Sequence, residues 1–175
     1  VTTENIIFSG GIGFSRVLRA ARKPKTLGMY SVFVTFFSLV SIGFGSLLGP
    51  TLLSNSTLAV LRPAIFALIV AVVYIVAAYT LRTFTPGFYK RYGQILSPAA
   101  INTVVLSMPY VLKSFKLNLL NAVGFALGTG VSFFLAAIAL AYTMNKYESN
   151  QDMPKAFSGL PAILIYVGIL SMAFA

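Results

Sequence analysis

Neither cysteine nor histidine occurs among the 175 residues of this chain. Those two absences remove the commonest metal ligands, the thiolate nucleophile, the imidazole general base and any disulfide. The acids are Glu4, Glu148 and Asp152, and all three fall outside the long apolar runs. A proton or cation relay built on buried carboxylates of this chain is therefore not expected, and ion passage would rely on backbone, hydroxyls or another subunit. What remains is small and polar. Ser9-Gly-Gly-Ile-Gly13 could let backbone approach a ligand, since glycine has no side chain and amides at a helix start favour negative charge. Tight packing between helices accounts for the same residues. Ser97-Pro-Ala-Ala-Ile-Asn-Thr103 contains Asn102, which is costly at membrane depth unless hydrogen-bonded. It either caps a broken helix end or lines a site. Gly124, Gly128 and Ser132, with Gly130 close by, follow a four-residue spacing and read as a stripe for close helix packing. Tyr74, Tyr79, Tyr89, Tyr92 and Tyr110 sit mainly near span ends, where interfacial anchoring explains them. Asn55-Ser-Thr57 matches a glycosylation acceptor, a pattern that chance also produces.

The elements that hold these residues are membrane-spanning. Hydrophobic residues make up 58% of the chain and charged ones 9%, against roughly 25% charged in soluble domains. Crossing the hydrocarbon core takes about 20 apolar residues. Leu27 to Leu48, Ala64 to Leu81, Leu117 to Met144 and Ala156 to Ala175 supply four spans. Two other stretches differ in kind. Ile6 to Phe14 is too short and carries Gly10, Gly11 and Gly13; Ile95 to Leu112 is interrupted by Pro98, Asn102 and Pro109. Both read as broken or half-membrane helices, tolerated only where protein or a cavity satisfies the freed backbone. The order short-long-long, short-long-long predicts an all-α membrane domain over 1–175, with repeats at about 1–88 and 89–175. Three crossings per unit is an odd number, so the second copy is inverted, which points to a midplane site between the repeats.

Charge sets orientation. The net charge of +10 does not point to nucleic acid, because the basic residues lie between apolar runs and form no aromatic-interleaved face. Arg16, Arg19, Arg22, Lys23 and Lys25 follow the first element; Arg82, Lys90 and Arg91 follow the third; Lys146 and Lys155 follow the fifth. Odd loops thus hold ten of the thirteen basic residues. They are expected on the cytoplasmic side, with both termini outside. The chain opens at Val1, and the apolar stretch after it lacks the basic leader and cleavage site of a signal peptide.

The second half resembles the membrane subunits of Rnf and Nqr electron-transport complexes. The run Thr85-Pro-Gly-Phe-Tyr-Lys-Arg-Tyr-Gly93, with Leu96, Asn102 and Leu106 after it, is similar to the family's loop into a half-helix. Asp152-Met-Pro-Lys-Ala-Phe-Ser-Gly159 and Gly168-Ile-Leu-Ser-Met-Ala-Phe174 resemble its later motifs, and Gly13-Phe-Ser-Arg-Val-Leu18 matches more loosely. The resemblance implies six helices as two inverted triplets whose half-helices meet near the midplane. Outward termini favour the A-type Rnf or E-type Nqr subunit, paired with its E-type Rnf or D-type Nqr paralogue. It also implies a [2Fe-2S] cluster held by cysteines between the two paralogues, partner subunits carrying flavin or iron–sulfur groups, and a prokaryotic cytoplasmic membrane. Here Thr103 stands at the family's second cysteine and Ser9 at its first, beside Gly10, Gly11 and Asn102. A hydroxyl does not replace a thiolate in such a cluster. The expectation is a divergent member of the family without its own cluster ligands, acting as scaffold or part of the electron and ion path. A substrate-binding component of a vitamin transporter, also small, basic and six-helix, is the alternative.

Overall fold

The computed structural model describes residues 12–54, 56–114, 119–148 and 159–173. Among them the chain is entirely helical, with seven helices and no strand. Helix α1 covers Phe14–Ala21, α2 Pro24–Ser54, α3 Ser56–Phe84, α4 Pro86–Ala100, α5 Thr103–Ser114, α6 Leu119–Glu148 and α7 Leu160–Ala173. Three helices carry apolar stretches long enough to cross a bilayer, at Pro24–Leu48, Val60–Phe84 and Leu120–Lys146. They coincide with the first three spans read from the sequence. The described part of the fourth is α7, with the shorter apolar stretch Pro161–Met172.

Local chemistry sets the joints. Proline occupies the first helical position of α2 and of α4, where a missing N–H costs nothing and the fixed φ suits the helix. Two residues turn α1 into α2. The Lys23 amide donates to the Ala20 carbonyl at 3.0 Å, and the Thr26 hydroxyl donates to the Lys23 carbonyl at 3.2 Å. Gly159, at φ 78°, leads into α7. The second broken stretch breaks at Ile101 and Asn102, between α4 and α5. Pro98 and Pro109 lie inside those helices.

Helix α2 is the hub, packed against α1, α3, α4, α5 and α6. It runs antiparallel to α6. Gly28 lies near Phe134, Tyr30 stacks on Phe133 with ring centres 5.4 Å apart, and Thr35 meets Gly130. A Cβ on Gly130 would strike the Thr35 side chain, so glycine is what allows this close crossing. Gly124, six residues before Gly130, faces open space. The chain from Pro98 to Pro109 climbs along α2, since Tyr30 bonds to Pro98 while Gly45 abuts Pro109. Fifteen helical residues separate those two levels, roughly 22 Å. The core formed at these crossings includes Val17, Val34, Phe37, Leu96, Val104, Val105, Met108, Phe133 and Leu140.

Candidate functional site: the junction of two helix starts

Helices α1 and α5 begin against each other. Gly13 precedes α1 at φ 80° and ψ 4°, and its carbonyl accepts from the amides of Arg16 and Val17 at 2.9 and 3.1 Å. Asn102 precedes α5. Its side-chain oxygen accepts from the Val104 amide at 3.2 Å, and its carbonyl accepts from the Leu106 amide at 3.0 Å. The carboxamide is thus an N-cap that satisfies one of the helix's orphan donors. A Cβ on Gly13 would strike the Val104 side chain and come within 3.1 Å of the Asn102 oxygen. From this meeting point α1 descends toward the start of α2, while α5 rises toward Gly45. The two positively polarised helix starts therefore share one buried locality.

The carbonyl groups left free by the end of α4 are also met. The Ile101 amide donates to Ser97, and the Tyr30 hydroxyl donates to the Pro98 carbonyl at 2.9 Å. The latter carbonyl would have bonded Asn102 had the helix continued. Tyr30 consequently ties α2, α4 and α6 together at the break. It is not among the residues singled out from the sequence, although a tyrosine inside an otherwise apolar span is the signal that could have found it.

Asn102 is 0% exposed, and its side-chain nitrogen has no hydrogen-bond partner. The hydroxyls of Ser38 and Ser41 on α2 are also buried without partners. These groups are conspicuous because buried donors are nearly always satisfied. The flanking side chains point the other way: Ile101 is 52% exposed and Thr103 is exposed. Of the residues singled out from the sequence, Gly13, Asn102 and Thr103 converge here, with only Thr103 turned outward. Ser9, Gly10 and Gly11 lie outside the described residues, as do Glu4, Asn55 and Asp152. Of the tyrosines taken as interfacial anchors, Tyr79 is 72% exposed, whereas the Tyr110 hydroxyl is buried without a partner, near Arg62.

The donor set does not fit an iron–sulfur cluster. Cluster irons need thiolate, or histidine in the Rieske type, and the chain has neither residue. Among the described residues no group of three or more acidic, histidine or cysteine side chains could hold a metal.

The family model described as "Rnf-Nqr subunit, membrane protein" matches residues 1–175. The A-type component of the Na(+)-translocating ferredoxin:NAD(+) oxidoreductase complex of Acetobacterium woodii is 22% identical over 174 residues, 99% of this chain and 90% of that protein. The A-type component of the proton-translocating ferredoxin:NAD(+) oxidoreductase complex of Clostridium ljungdahlii is 30% identical over 117 residues, 67% of this chain and 60% of the relative. The E-type component of the Na(+)-translocating NADH-quinone reductase of Neisseria meningitidis is 25% identical over 179 residues, 99% of this chain and 90% of the relative. The chain belongs to the Rnf-Nqr family of membrane subunits.

Proposed function

We propose that this Rnf-Nqr protein is one of two homologous membrane partners in an ion-translocating electron-transport complex, and that it presents its half-helix junction to the other. The observation that carries the reading is the meeting of two helix starts at Gly13 and Asn102, with Ile101 and Thr103 turned outward beside it. An exposed polar side chain beside a break in the helices is expensive toward lipid and well suited to a protein partner. The family's redox site falls at positions equivalent to Ser9, Gly10, Gly11, Asn102 and Thr103. Because this chain lacks thiolates, any cluster there would depend on the paralogue, and the chain's own part is to dock, position and exclude lipid.

Reciprocal packing supports the inverted six-segment architecture with repeats at about 1–88 and 89–175. Helix α1, which covers the basic stretch read as following the first short element, packs on the long helix α6 of the second repeat, and α5 packs on the long helix α2 of the first. The basic residues of the α1–α2 turn, the end of α3 and the end of α6 favour a cytoplasmic position for those ends, with outward termini in a prokaryotic cytoplasmic membrane. Among the described residues, the unpartnered buried hydroxyls of Ser38 and Ser41 are groups that an ion path could use.

Purification of the tagged chain from its native membrane tests the reading. Flavin- and iron–sulfur-bearing subunits should accompany it, and membranes lacking it should lose ion-coupled electron transfer. Co-purification with an ATP-hydrolysing transporter module and a tightly held small molecule would establish the vitamin-transporter alternative instead.

A further inference from the structure

A second site lies away from the junction, where α1 turns into α2 beside the end of α6. The turn is tight and α1 is only eight residues long, so the two long helices leave an open-sided cavity of about 880 Å³ between them. Its floor is apolar, formed by Leu27, Phe134, Ile138 and Ala141, and its mouth carries Arg22 and Asn145. Arg19, Lys23 and Lys25, all exposed, adjoin that mouth in sequence. No acidic residue occurs from Asn5 to Lys146, so the α1–α2 turn bears one sign of charge. The cavity also sits where the apolar stretches of α2 and α6 end, at Pro24 and Lys146, the depth at which lipid headgroups lie.

We infer that this cavity holds an anionic phospholipid, its phosphate against Arg22 and its acyl chains on the Leu27–Phe134–Ile138 floor. Charge complementarity selects an anion. The apolar floor, useless to a free phosphate ion, selects a lipid. Basic pockets between membrane helices bind acidic headgroups for these reasons, and the volume falls in the range of about 300–1,000 Å³ usual for small-molecule sites. Filling the wedge would brace α1, and α1 carries Gly13 at the junction. The inference does not depend on the redox role.

Native mass spectrometry of the intact complex, delipidated and then titrated with phosphatidylglycerol, phosphatidylcholine or inorganic phosphate, tests it. The expected result is one phosphatidylglycerol retained per chain, with phosphatidylcholine and phosphate lost. Each neutralised cation should weaken retention by about fivefold, so Arg22→Gln with Lys25→Gln weakens it more than tenfold, while Arg22→Lys retains it. Ile138→Trp, which fills the floor and leaves the charges alone, should also expel the lipid. Equal retention of phosphatidylcholine, or unchanged retention in the charge and floor variants, overturns the inference. So does a photo-crosslinker at Ile138 that captures another protein of the assembled complex.

Discussion

Gly13 and Asn102 start helices at the same buried locality by opposite means. At Gly13 the backbone takes a left-handed conformation with no side-chain cap, and the absence of a Cβ lets Val104 close over it. At Asn102 the backbone break is capped by a carboxamide, whose oxygen takes the Val104 amide. One junction is made by removing atoms and the other by adding a polar group. They are not interchangeable, because each occupies the space the other leaves. A helix start buried in a membrane has no water to satisfy its amides, so one partner must supply the hydrogen bond and the other must stand aside.

Substitutions break that complementarity in graded fashion. The left-handed backbone costs a residue with a Cβ about 1 kcal/mol, and collision with Val104 adds about 2 kcal/mol. Gly13→Ala should therefore lower stability by about 3 kcal/mol, read as thermal unfolding in detergent. Adding Val104→Ala should restore the collision part and leave the backbone part. Full recovery would show that the left-handed conformation is not strained. Asn102→Ala removes the cap and should cost about 1 kcal/mol. Asn102→Ser keeps a capping oxygen and removes the unpartnered nitrogen, so it should lie closer to the parent; equal loss in both variants would deny the cap its role.

Smaller effects sharpen the contrast between capped and uncapped polar groups. Ser38→Ala and Ser41→Ala delete hydroxyls that bond to nothing, and should change stability by less than about 0.5 kcal/mol. If ion-coupled transfer falls in these variants while the melting temperature holds, the hydroxyls serve the path and not the fold. Thr103→Cys, on the exposed side of the break, should be within about 0.5 kcal/mol of the parent. A maleimide should label it in the isolated chain and fail to do so in the assembled complex. Equal labelling in both would remove the junction from the interface with the paralogue.

Much of the candidate site was legible in the sequence. Pro98 and Asn102 marked the break in the second short stretch, because those residues disrupt helices by known steric and hydrogen-bonding effects. Of the glycines in the first stretch, Gly13 stands at the start of α1, and Gly10 and Gly11 lie outside the described residues. Capping, one of the two roles open to Asn102, is the one its oxygen fills. Which of the three named interruptions makes the second break was not legible: it is Asn102. Pro98 and Pro109 sit inside helices, since Pro98 lies within the last turn of α4 and the chain rearranges only after it. Tyr30 escaped notice for a related reason. Its partner, the Pro98 carbonyl, is 68 residues away, and no local pattern encodes that pairing. The small residues Gly124, Gly128, Gly130 and Ser132 marked a packing face, but that Gly130 meets Thr35 while Gly124 faces open space was not legible, because which side of α6 meets α2 depends on their mutual rotation.

Length and apolarity by themselves determined that α2, α3 and α6 are long membrane helices, since a bilayer core rewards any run of about 20 apolar residues whatever its neighbours are. Only the tertiary structure decided their standing. Within this chain 44% of the most apolar stretch of α2 is buried, against 11% of that of α3. Lipid is as apolar as leucine, so hydrophobicity cannot sort one helix to the centre and another to the edge. Close contacts do that: Thr35 against Gly130, Gly45 against Pro109, and the Tyr30 hydroxyl on the end of α4.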